Sequence, residues 1–187
     1  MSGAQPGTGE VRPRVVLVGA MGAGKTTVGR LLATGWRTEL RDTDRDIEAA
    51  QGRTISDIFV DDGEQRFREL ELAAVREALR SHSGVLALGG GAVLDPRTRD
   101  ALAGHRVVFL QVGLADAVKR VGLATARPLL LGNVRAQVKK LLDERLPVYQ
   151  AVATLIVSTD GKPPEQVAEE VRRAVEGAEA AKGGRDG

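Results

Sequence analysis

The chain has 187 residues with no cysteine, two histidines and only five aromatic residues, three Phe, one Trp and one Tyr. This excludes disulfides, thiolate nucleophiles and cysteine-held zinc or iron–sulfur clusters, and His82 and His105 have no spacing that builds a metal site or a Ser/His relay. The formal charge of +2 beside an isoelectric point near 9.2 reflects a flat titration curve, and interspersed charges with few aromatics argue against nucleic-acid binding.

In chain order, residues 1–13 are rich in Gly and Pro, carry no apolar signal segment and are expected to form a loose tail. The first strand is expected at Val15 to Val18. GAMGAGKT, Gly19 to Thr26, follows it directly and opens a helix from Lys25, which is the strand, G-x-x-x-x-G-K-[ST], helix order of a phosphate-binding loop. Consecutive backbone N–H groups bind phosphate oxygens, so the chain must turn sharply where Gly19, Gly22 and Gly24 stand. Lys25 then reaches the outer phosphates, and the Thr26 hydroxyl is positioned for Mg²⁺. By chance the four fixed positions occur about once in a hundred such sequences.

A weak second strand is expected around Glu39 to Asp42, with a helix from Asp44. Asp42-Thr43-Asp44 is read either as a helix cap at Asp44 or, because it ends a strand on the phosphate edge, as two ligand-facing carboxylates. Asp42 is the best available carboxylate for Mg²⁺, through water, which leaves Asp44 for the acceptor. A helix from Glu64 to about Ser81 buries Phe67, Leu70, Ala74 and Leu79. Arg68 and Glu71 on it have the spacing of an exposed ion pair. The strand Val85 to Leu88 runs into Gly89-Gly90-Gly91. A helix is expected from Pro96, a strand at Val107 to Leu110 and a helix from Leu114.

Residues 122–134 lack periodicity, are long for a connection, and are read as a lid carrying Arg127. A helix from Asn133 is expected to end at Arg145, before Pro147. The strand Leu155 to Val157 and a helix from Pro164 complete a single domain over residues 14–176, and residues 177–187 are expected to be a flexible tail. Strands alternating with helices give an α/β class with a parallel sheet covered on both faces. The longest uncharged stretches run to about fourteen residues, short of the roughly 18 a membrane span requires, so the expectation is a cytoplasmic monomer without membrane or nucleic-acid partners.

GAMGAGKTTVGRLLA, DTDRDIE, GRTISDIF, GEQRFRELE, LALGGGAV, RPLL and ERLPVY, in this order and spacing, resemble the shikimate kinase family over nearly all of Val15 to Ala174. The resemblance implies a P-loop three-layer α/β/α sandwich of the nucleoside-monophosphate-kinase type, with a five-stranded parallel sheet and a mobile lid. It implies transfer of the ATP γ-phosphoryl to the 3-hydroxyl of shikimate, with Mg²⁺. Carried over by position, Gly22, Ala23, Gly24, Lys25, Thr26 and Thr27 hold ATP phosphates, with Thr26 and Asp42 serving the metal. Asp44 binds the acceptor hydroxyls and is the candidate base. Arg68 and Arg145 grip the shikimate carboxylate, Gly90 and Gly91 let the backbone approach it, and Phe59 and Phe67 line its pocket. Arg127 contacts phosphate and substrate, and Arg120 and Pro164 sandwich adenine. The chain departs from the family at Arg41, where an apolar residue is usual, and in a segment before Arg145 that is about one residue short. Rival readings are a gluconate or nucleoside-monophosphate kinase, a nucleotide-dependent switch, for which N-K-x-D and D-x-x-G are missing, and a non-catalytic nucleotide-binding protein.

Overall fold

A computed structural model of the chain describes residues 11–124 and 131–183. Five parallel strands, β1 (Val15–Val18), β2 (Leu40–Asp42), β3 (Val85–Ala87), β4 (Val107–Gln111) and β5 (Leu155–Ser158), form one sheet in the order β2-β3-β1-β4-β5. The register pairs Val15 with Val85 and Val16 with Val107. Burial explains which strands were easy to read. All of β1 and β3 and the first four residues of β4 are buried on both faces, as their unbroken apolar runs require. The edge strand β2 is half-buried throughout, so Arg41 can stand in it, its Nε donating to Asp46 at 2.6 Å and its Nη1 to the Ser81 hydroxyl at 2.8 Å.

Among the described residues, seven α-helices connect and cover the strands: α1 (Lys25–Gly35), α2 (Thr43–Gln51), α3 (Ile55–Ser81), α4 (Pro96–Ala101), α5 (Leu114–Ala124), α6 (Leu131–Val152) and α7 (Pro164–Gly183). Three differ from the sequence reading. α3 starts nine residues before Glu64, capped by Thr54, whose hydroxyl accepts from the Asp57 N–H at 3.1 Å while Asp57 accepts from the Thr54 N–H at 3.3 Å. It bends at Gly63, whose φ of 83° only glycine adopts easily. α6 does not end at Arg145 but continues through Pro147 to Val152. Proline removes one helical hydrogen bond there, and the loss is offset because Leu142, Leu146 and Val152 pack against the main core and Tyr149 is buried in it. α7 reaches Gly183, beyond the expected end at residue 176. The segment read as a lid shortens from both sides, since α5 and α6 extend into it. Arg127 and the tail residues 1–10 and 184–187 lie outside the described residues.

The apolar interior has two parts. The main core surrounds the sheet, whereas Ile47, Ile58 and Phe67 form a separate cluster between α2 and α3, with Ile55, Phe59, Leu70 and Ala74 against it. The carboxyl ends of β1, β2 and β3 all point to one edge. β1, whose two neighbours are reached by opposite windings of the chain, carries the glycine loop at the point where such sheets bind ligands.

Candidate active site

The loop after β1 turns through Gly22 (φ 81°) and Gly24 (φ 89°), both left-handed, as the motif requires. Gly24 caps α1 without a side-chain hydrogen bond, and no acidic residue lies in the helix's first turn, so its leading amides face the loop mouth as an anion seat. Lys25 Nζ donates to the Gly19 and Ala20 carbonyls at 2.6 and 3.1 Å, which holds the ammonium over that seat. Burial lowers the Lys25 pKa from 10.5 to about 8, against the opposing pull of Asp44 and Asp42.

The Thr26 hydroxyl donates to Asp42 Oδ2 at 3.3 Å. Asp42 Oδ1 accepts from the Asp44 N–H at 3.0 Å, so Asp42, not Asp44, caps α2. One hydroxyl and one carboxylate beside the phosphate seat are hard oxygen donors. They fit Mg²⁺, which keeps most of its water and takes the rest of its shell from phosphate. The wholly buried Thr43 between the two aspartates accepts from the Gly89 N–H at 3.2 Å and so pins the end of β2 to the end of β3.

A cavity abuts the loop and is lined by Met21, Lys25, Asp44, Ile55, Phe59, Phe67, Arg68, Glu71, Gly90, Gly91 and Arg145. All seven residues assigned from sequence to the acceptor meet there. The expected exposed pair of Arg68 with Glu71 is instead part of this wall. Glu71 is 2% exposed and accepts from Arg68 Nη1 at 2.6 Å. Burial raises the Glu71 pKa, with the Arg68 guanidinium pulling it back. Glu71 and Met21 were missed as site residues. The three-residue spacing from Arg68 was visible, but only the bend and packing of α3 show that it faces inward. Phe59 and Phe67 stand 4.5 Å apart between ring centres, with Arg68 over both rings at 5.9 and 5.4 Å. Burial, followed by repulsion from Asp42, raises the Asp44 pKa, and Lys25 opposes the shift. Asp44 is thereby moved toward the range in which a carboxylate can accept a proton usefully.

The three glycines after β3 have different constraints. A Cβ at Gly89 would lie 2.5 Å from Asp44 Oδ1 and 2.8 Å from Glu71 Oε1, and one at Gly91 would lie 2.6 Å from Arg68 Nη1. At Gly90 it would meet nothing closer than 3.6 Å, with Arg145 Nη1 at 3.7 Å. Gly91→Ala is therefore expected to fold normally, because a guanidinium tip yields easily, while displacing Arg68. The expected result is a KM for the acceptor raised roughly tenfold with that for the nucleotide unchanged, read from steady-state kinetics.

On the other side of the loop, Arg120 Nη1 donates to the Gly22 carbonyl at 2.9 Å and the Thr159 hydroxyl at 3.2 Å, and Arg120 with Pro164 lines a cleft that also contains Gly24, Thr27 and Lys162. Both residues assigned to adenine thus border the phosphate loop.

The family model "SKI: Shikimate kinase" matches residues 21–176. The chain belongs to the shikimate kinase family. It is 63% identical over 158 residues to the shikimate kinase of Thermobifida fusca (strain YX), covering 84% of this chain and 92% of that one. With the shikimate kinase of Salinispora tropica it shares 62% identity over 159 residues, 85% and 95% of the two chains. Among solved structures, the shikimate kinase from Acinetobacter baumannii in complex with shikimate superposes with a TM-score of 0.82 at 34% identity, covering 90% of this chain and 94% of that one. The activity of this family member is that of a shikimate kinase, a phosphotransferase of the shikimate pathway.

Proposed function

We propose that two of the cavities bordering the glycine loop divide the reaction between them, ATP on the Arg120 and Pro164 side and shikimate on the Asp44, Arg68 and Arg145 side. The observation that carries this is the acceptor cavity itself. It brings the Arg68 and Arg145 guanidinium groups, the half-buried Asp44 carboxylate and the phosphate-loop Lys25 into one lining. A carboxylated polyol needs this arrangement: planar donor forks for its carboxylate and an acceptor for its reacting hydroxyl.

The amides of Gly22 to Thr27, Ala23 included, and Lys25 hold the polyphosphate. Thr26 and Asp42 would hold Mg²⁺, which when bound neutralises charge on the phosphate oxygens. Asp44 accepts the proton of the 3-hydroxyl as the O3–Pγ bond forms and the bond from Pγ to the bridging oxygen of ADP breaks. The RPLL motif assigns Arg127 to the transferring phosphoryl group. Arg68, held by Glu71, and Arg145 orient the ring so that this hydroxyl, and not another, faces the γ-phosphate. We place the enzyme in the cytoplasm as a monomer without nucleic-acid partners. Among the described residues no helix is long and apolar enough to cross a membrane.

The test is ADP release from MgATP, coupled to NADH oxidation, with shikimate, gluconate, AMP or no acceptor in parallel. Release that requires shikimate is expected. Equal release with gluconate or AMP would remove the assignments of Arg68 and Arg145.

A further inference from the structure

The triglycine segment that borders the acceptor has no side chains of its own to fix it. Two hydroxyls from other elements do so. Thr43 holds the Gly89 N–H from the start of α2, and Tyr149 of α6 donates to the Gly90 carbonyl at 2.5 Å. Tyr149 is 2% exposed, and its ring stacks on Phe109 of β4 with centres 4.9 Å apart and planes 23° from parallel. Phe109 is paired with Val18, the last residue before the phosphate loop. One turn earlier on α6, on the same face, stands Arg145, whose Nη1 approaches Gly90. The phenol therefore touches the strand beside the one that leads to the phosphates and the backbone that borders the acceptor, and it shares a helix face with Arg145.

We infer that Tyr149 is a positioning residue for phosphoryl transfer, whose hydroxyl sets the distance between Gly90 and Arg145 and so fixes where shikimate sits relative to the γ-phosphate. This rests on the assignment of Gly90 and Arg145 to the acceptor. Burial raises the phenol's pKa, so the hydroxyl remains a donor across the working range of pH. The continuation of α6 past Pro147 gains a purpose, because a helix ending at Arg145 would leave that arginine without a fixed support two residues from a proline.

The decisive comparison is Tyr149→Phe beside Phe109→Leu and Arg145→Lys, with KM for each substrate, kcat and melting temperature measured for all three. Tyr149→Phe keeps the buried ring and is expected to raise the shikimate KM roughly tenfold while leaving the ATP KM within about twofold. Phe109→Leu, which weakens the stacking and keeps the hydroxyl, is expected to lower the melting temperature with little change in either KM. A shikimate KM in Tyr149→Phe within about twofold of the parent, or an equal rise in Phe109→Leu, overturns the inference. If Arg145→Lys also leaves that KM unmoved, the acceptor assignment falls with it; if Arg145→Lys raises it, the failure is confined to Tyr149. Tyr149 is the one tyrosine in the chain, so 3-fluorotyrosine labels it alone and needs no variant to fold. A ¹⁹F resonance that shifts on saturation with shikimate supports the inference, and one that does not move rejects it.

Discussion

Asp44→Asn is expected to lower kcat by roughly 10³-fold, within the span that a positioned proton acceptor contributes, while the ATP KM stays near that of the parent enzyme. The substitution keeps the size of the side chain, one oxygen and the contacts around it, including the close approach of Gly89. It removes the capacity to take a proton and also relieves the repulsion from Asp42 that helps to raise the Asp44 pKa. The pH profile separates two roles. A base that must be ionised gives a kcat falling toward acid below its raised pKa, and Asp44→Asn abolishes that limb. If the variant turns over at the parent rate, Asp44 only orients the hydroxyl.

Lys25→Met is expected to reduce kcat by at least about 10³-fold, because the ammonium acts on charge that is greatest during transfer. It is not expected to destabilise the fold. The folded pKa of about 8 lies below the ordinary 10.5, so the folded state holds this proton less tightly than the unfolded chain does. Its contribution to stability is therefore unfavourable below pH 8 and is relieved as pH rises toward 10.5. Melting temperature at neutral pH should be unchanged or higher in the variant, and a clear drop would show that the amine supports the loop instead of straining it. In the free parent enzyme the amine loses its charge above about pH 8. The ATP KM should accordingly be flat below that point and rise above it, whereas in Lys25→Met it should not vary with pH in this range.

The legible parts of this molecule were those in which the local sequence does the physical work. The glycine loop requires three small residues and a lysine at fixed spacing, and β1, β3 and β4 are buried on both faces, so their apolar runs are unbroken. The acceptor residues became legible as a set through family resemblance. From spacing alone, Arg68 with Glu71 reads as a surface ion pair, and nothing local says that α3 turns this face inward. β2 read weakly because an edge strand needs no apolar run. α6 was cut short because Pro147 usually ends a helix, and the packing that offsets it comes from residues in β4 and after β3. Glu71 was passed over for the same reason. Its burial depends on the close approach of the Gly89 segment after β3, which no window of α3 contains.

That second cluster gives the enzyme two units of unequal firmness. Ile47, Ile58 and Phe67 are a very small interior for the wall proposed to hold the acceptor, whereas the phosphate loop rests on the main core around the sheet. Segments with few buried apolar contacts open at lower free energy than the molecule as a whole. Amide hydrogens of α2 and of α3 before its bend should therefore exchange faster than those of β1, β3 and β4. Substitutions of Ile47 and Ile58, which lie outside the cavity lining, are then expected to change how often that wall opens while the phosphate seat keeps its shape.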